Sequence, residues 1–284
     1  MPSLHGADGS SSCGDTPGRT PDRPCPASRG LSRRGFSLAL PFLAGAWLAS
    51  GPDARAQNEV EASQDGVMGP VGTRYRALAS YSDEGTVEAR YQWPGTPMVT
   101  ERHTFRTLFR APRHFFFRFD QDPAAGGDAM VIWCDGGAFQ SWWKATGVHT
   151  VHDGGRGAAA FLNAQSPTRD SANLVAPHLF PQAKLPGPTY GLIEPREDGE
   201  EKLSGRRCRR ITADRRVTGV VTMERRPTTV WIDDDSHLVR KVLVDTEPDS
   251  PAGLIDQRMF LIEPVADPEL PDDRFSFVPP GPGP

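Results

Sequence analysis

The sequence predicts a mainly β protein (α+β class): one strongly curved antiparallel sheet of many strands, with a helical insert near its middle. Three observations carry this. Glycine (29) and proline (28) fill a fifth of the 284 residues, well above the usual share of about 12% and too much punctuation for a helical bundle. Segments alternating apolar with polar residues recur between residues 100 and 262, which is the period of half-buried strands. Short links bearing Pro, Gly or Asp separate many of them, as in hairpins. The apolar content (37%), with 14 Phe, 6 Trp and 4 Tyr, suffices for a core. A net charge of −4 leaves no electrostatic footprint for nucleic acid.

Residues 1–30 are Gly-, Pro-, Ser- and Asp-rich without periodicity, the composition of a disordered extension. Over 31–56, Arg33-Arg34-Gly35-Phe36 precedes the apolar run Ala39–Ala49 and the small-residue site Ala54-Arg55-Ala56. A basic start, an apolar stretch and an A-x-A site make a cleavable signal. The run is shorter than the roughly 20 residues needed to span a bilayer. The Arg pair gives the signal a twin-arginine character. Cleavage after Ala56 starts the mature chain at Gln57; no Cys stands near the cut, so the expected product is periplasmic, soluble and not lipid-anchored. Residues 57–278 then form a single domain, and 279–284 a Pro/Gly tail that cannot extend a sheet.

Within that domain, Pro70 opens a short helix over Val71–Ser80. In Thr100–Arg110, His103, Phe105, Thr107 and Phe109 share one face, and Phe115, Phe117 and Phe119 repeat the pattern after Ala111-Pro112-Arg113. A link so short makes the two strands antiparallel neighbours, with all five Phe on the concave side. Met130–Cys134 and Phe139–Lys144 flank the turn Asp135-Gly136-Gly137. Helical spacing returns in Ala158–Ala164 and Ser171–Phe180, broken by Pro167, Pro177 and Pro181. Strands follow at Tyr190–Pro195, Cys208–Ala213, Val217–Glu224, Thr228–Ile232, Leu238–Val244 and Met259–Ile262, with Asp233-Asp234-Asp235-Ser236 as a solvated hairpin turn. The inward aromatic residues leave two readings open: packed core, or the wall of a cavity for an apolar ligand.

Candidate chemistry is sparse. The sequence has no G-x-S-x-G, H-E-x-x-H, C-x-x-C or Gly-rich phosphate loop. His149 and His152 are residue types that bind zinc, with His103 or His178 as distant third ligands. In a strand, however, the first two would face opposite sides; the alternative is a polar loop beside the helical insert. Cys134 and Cys208 survive cleavage and either bridge, as the periplasm permits, or act as small buried hydrophobes. The Arg pairs at 206–207, 209–210, 215–216 and 225–226 read as a solvated rim, or else as a patch for anionic headgroups or an acidic partner.

Several stretches resemble the LolA/LolB-like superfamily, and within it the family called domain of unknown function 2092. Arg110-Ala111-Pro112-Arg113-His114-Phe115 is similar to its R-P-x-x-F-R strand pair, with Ala splitting Arg from Pro. Val131-Ile132-Trp133-Cys134-Asp135-Gly136 is similar to its strand ending in D-G-K. Thr229–Asp233 with Leu238–Val242 resembles the V-W-I-D … L-I-R-K-V hairpin, and Arg274–Pro280 the closing F-x-F-x-P-P. The resemblance implies an unclosed antiparallel β-barrel covered by a few helices over an apolar cavity. It implies a periplasmic carrier for a lipid or lipoprotein acyl chain, monomeric, with no cofactor and no catalytic residues. The cavity wall is then expected to comprise Phe105, Phe109, Phe115, Phe117, Phe119, Trp133, Trp143 and Trp231. The alternatives are a sensor that docks an envelope protein partner, and a metal-dependent hydrolase built on His149 and His152.

Overall fold

The computed structural model describes residues 66–122, 126–152, 157–218, 223–245 and 255–281. The extension and signal expected over 1–56 lie outside the described residues. A helix α1 (Gly69–Arg76), with Pro70 in its first turn, buries Val71 and Tyr75. It is followed by β1 (Ser80–Gln92), β2 (Val99–Arg110), β3 (His114–Gln121), β4 (Ala129–Asp135), β5 (Phe139–Trp143) and β6 (Val148–His152). Then come α2 (Ala158–Ala164), a 3-10 turn (Ser171–Asn173), α3 (Ala176–Leu179) and a second 3-10 turn (Pro181–Ala183). The strands β7 (Leu192–Leu203), β8 (Arg206–Thr218), β9 (Met223–Asp233), β10 (Val239–Val244) and β11 (Ile255–Ala266) complete the sheet, and a 3-10 turn (Asp272–Phe275) follows.

The eleven strands lie in the order β6-β5-β4-β3-β2-β1-β11-β10-β9-β8-β7, every neighbouring pair antiparallel. Two meanders are thus sewn together by the β1–β11 pair, and among the described residues β6 and β7 are the unpaired edges of an unclosed half-barrel. The connection from β6 to β7 must travel from one edge to the other. Its helical part, residues 158–185, does so across the concave face, where Phe161, Leu174, Val175, Phe180 and Leu185 join the core built by the strands. The insert is therefore the inner layer of the protein.

A second, smaller apolar cluster lies on the other side of β2–β5: Leu108, Phe116, Val131, Trp133 and Trp142 are covered by Phe275, with Leu270 and Phe277 beside it. The closing motif thus acts as an outer clasp. Cys134 and Cys208 are both buried and free. The turn after β9 is solvated at Asp235 and half-buried at Asp234 and Ser236, but Asp233, which closes β9, is not solvated. Asp233 is fully buried, accepts hydrogen bonds from the Asp235 and Ser236 amides (3.1 and 2.9 Å), and receives Arg240 Nε at 2.6 Å.

Gly85 sits opposite Phe105 in the β1–β2 pair. A methyl group there would come within 2.3 Å of the Phe105 ring and 2.7 Å of the Leu261 carbonyl oxygen. Gly85→Ala is accordingly expected to cost about 1–3 kcal/mol by overpacking, measured by urea denaturation; a cost near zero would mean the ring is free to shift.

Candidate functional site

The β2–β3 register sets Phe105 opposite Phe119, Thr107 opposite Phe117 and Phe109 opposite Phe115. The five phenylalanines therefore share the concave face, as their alternation predicts, with Met130, Ile132 and Cys134 of β4 beside them. None is more than 5% exposed. Two rings of the insert fill the space above them. Phe115 lies 5.1 Å from Phe161 and 5.5 Å from Phe180, ring centre to ring centre, and Phe109 lies 5.4 Å from Phe180. All three contacts are edge-to-face, the arrangement aromatic quadrupoles prefer. The aromatic wall is thus occupied by the chain's own insert.

The three tryptophans divide. Trp143 is partly buried against the concave core, with its indole N–H donating to the Asp128 carboxylate. Trp133 and Trp231 stand on the opposite face, which corrects their placement with the phenylalanines. Trp133 belongs to the outer cluster, stacked on His149 at 5.3 Å and edge-on to Phe277 at 5.2 Å. Trp231 donates to Glu201 Oε2 at 2.6 Å and carries Lys241 Nζ 4.0 Å above its ring. Inward positions on β4 and β9 belong instead to Ile132, Val230 and Ile232.

Residues 148–152 form a strand rather than a loop, and alternation parts the histidines. His149 bonds Gln140 on the outside, whereas His152 is buried and bonds Ser141 Oγ at 2.8 Å. Among the described residues no three His, Cys, Asp or Glu side chains gather closely enough to hold a metal ion. His178 is a core histidine of the insert, stacked on Tyr75 at 5.3 Å and bonded to Thr189 at 3.0 Å. Burial lowers its pKa to about 4, so it is neutral at physiological pH.

At one end of the concave face the lining turns ionic. On β8, Arg215 has the same parity as the core residue Ile211, and it pairs directly with Arg226 of β9. Arg226 reaches Asp256 on β11 at 2.7 Å, and Asp256 receives Arg258 at 2.9 Å. From the insert, Asp170 accepts Arg258 at 2.7 Å, and Arg169 donates to Glu101 at 2.8 Å. Both insert residues sit at positive φ (53° and 70°), which turns their side chains into this rim. A solvated fringe, as the Arg pairs suggest, describes Arg206 and Arg207 (54% and 64% exposed) but not Arg215, whose side chain is 8% exposed. The signal available in the sequence was its parity with Ile211 and Ala213.

An open groove of about 770 Å³ lies on the convex side, between Glu84, Thr86, Thr104, Arg106, Arg118 and Glu263. Among the described residues no helix is long and apolar enough to cross a membrane.

The fold and site define an unclosed antiparallel half-barrel with a few helices, as the LolA/LolB-like motifs imply, but its concave face is filled by its own insert. No family model and no curated protein matches the sequence. Several solved structures are similar to this chain, among them the following. The lipoprotein LppX of Mycobacterium tuberculosis is 16% identical over 74% of this chain and 94% of its own, with a TM-score of 0.33. LprF of Mycobacterium bovis is 12% identical over 76% and 97%, with a TM-score of 0.35. A LolA superfamily protein of Nitrosomonas europaea is 10% identical over 78% and 97%, with a TM-score of 0.29.

Proposed function

We propose that the chain is an exported, periplasmic binding protein that carries a lipid-like apolar ligand between the concave phenylalanines and the insert, without a cofactor or covalent chemistry. The observation that supports this reading is the nature of the cover. Among the described residues, the aromatic trough spanning β2 to β5 is covered by an insert whose longest helix has seven residues. Helices that short have little stability of their own, and segments of low local stability are the ones that open. Swinging 158–185 outward would expose Phe105, Phe109, Phe115, Phe117 and Phe119 together. Phe161 and Phe180 stand where an acyl chain would then lie.

Trp143 is the natural reporter, being the tryptophan packed against that core. Titration with a fatty acid is expected to change tryptophan fluorescence saturably, with a negative heat-capacity change as apolar surface is buried. Trp143→Phe should remove most of the signal and Trp231→Phe little. The absence of any saturable change in the parent would overturn the carrier reading. Loss of a bound metal and of a hydrolytic activity in the His149→Ala, His152→Ala double variant would put the hydrolase in its place.

A further inference from the structure

We propose that the ionic end of the concave face is a binding site for a carboxylate or phosphate oxyanion, with Arg215 as its principal donor. Two independent features of the rim point there. The first is a juxtaposition of guanidinium groups: Arg215 and Arg226 stand directly opposite on paired strands, and Arg215 shares Asp170 with Arg258. The second is an orphaned donor. Arg215 is more than nine-tenths buried, yet its Nη1 makes no hydrogen bond; the nearest carboxylate oxygen, Asp170 Oδ2, is 3.9 Å away and already held by Arg258 at 2.7 Å. Like charges directly opposite on paired strands repel, and Arg215 faces Arg226 in that way. Burial depresses the Arg215 pKa, and Arg258 and Arg226 add to the effect against Asp170. A buried guanidinium in this state is costly, and an oxyanion between Arg215 and its neighbours would supply the missing acceptor. Guanidinium forks match carboxylate and phosphate oxygens geometrically.

The surroundings say what else such a ligand carries. Inward from Arg215 along β8 stand Ala213 and Ile211, beside Thr228 and Val230 of β9, then Val242 and Phe260. The wall changes from cationic to apolar within four residues, about 13 Å of strand. An anionic head at the rim with an apolar tail directed inward fits that gradient. This extension rests on the carrier reading; the oxyanion site itself does not.

The test compares oleate, methyl oleate and inorganic phosphate on the parent, Arg215→Met and Arg215→Lys. Competition against a fluorescent fatty acid reads the first two ligands, and thermal melting reads phosphate. In the parent, oleate should compete better than its ester by a factor of about ten to a hundred, the worth of a charge-assisted hydrogen bond. Arg215→Met should erase the preference without lowering the melting temperature, since it removes a buried charge whose Nη1 has no hydrogen-bond acceptor, and Arg215→Lys should keep part of it. If phosphate raises the parent's melting temperature but not that of Arg215→Met, while neither oleate nor ester binds, the oxyanion site stands with a free anion as its source and the carrier reading falls. Equal competition by oleate and ester with no phosphate effect overturns the site and leaves the carrier reading intact. A preference unchanged in Arg215→Met also overturns it, as does a large drop in that variant's melting temperature, which would mark Arg215 as a structural latch for the insert.

Discussion

Replacing Phe115 with alanine is expected to cost about 3–5 kcal/mol of unfolding free energy, the usual range for a fully packed phenylalanine. The ring has no exposure and touches three others, Phe139 of β5 and Phe161 and Phe180 of the insert, at centroid distances of 6.0, 5.1 and 5.5 Å. Truncation would remove side-chain volume at the point where strands and insert meet, and neither layer can collapse into the gap without dragging the other. Stabilities of single domains run to about 5–15 kcal/mol, so the variant should unfold at markedly lower urea. Fatty acid should recover part of the loss if it occupies the new space. A cost near 1 kcal/mol would instead place Phe115 beside empty volume, as the wall of a standing cavity rather than a filled one.

What the sequence makes legible follows from how many faces of a strand are buried. Thr100–Arg110 reads correctly as a strand because it is apolar on one side and basic on the other, and the structure extends it by one residue. In β4 six consecutive residues are buried. Alternation therefore vanishes, and the side taken by Trp133 depends on Phe275 and Phe277, more than 140 positions away in the chain. β1 escapes a period-2 search because its inward positions include Asp83 and Gly85 among Tyr81, Val87 and Ala89. The edge strand β7 runs eight residues past Pro195 through largely exposed polar residues, which carry no strand pattern. Of the segment expected at Val217–Glu224, residues 217–218 end β8, 223–224 begin β9 and 219–222 lie outside the described residues, whereas Thr228–Ile232 is the body of β9. The ionic rim was the least visible part. Asp170, Arg215 and Arg258 meet only because the insert crosses the concave face and two non-glycine residues adopt positive φ.

Asp83 is expected to tilt the stability–pH profile. Its carboxyl is buried in the concave layer, where it accepts hydrogen bonds from Tyr81 Oη at 2.8 Å and the Thr107 amide at 2.9 Å. Burial pushes its pKa up to about 7, and the bonds from Tyr81 and Thr107 offset only part of that rise. In the unfolded chain the same group ionises near its ordinary value of about 3.9. Between those values the folded state holds a proton that the unfolded state has released, so this group's contribution is present at low pH and lost as the pH rises to about 7. His178 acts in the opposite sense: burial lowers its pKa to about 4, and its contribution grows as the pH rises from about 4 to about 6.5. The two slopes nearly cancel in the parent protein. Asp83→Asn keeps the size and hydrogen-bonding capacity of the side chain but removes its titration. The stability of the variant relative to the parent should therefore climb by about 1.4 kcal/mol per pH unit between about 4 and about 7. Urea denaturation of both proteins across that range would read the slope directly. A difference independent of pH would mean that Asp83 is already ionised in the fold. The carboxylate would then need a cationic partner to hold its charge inside the sheet.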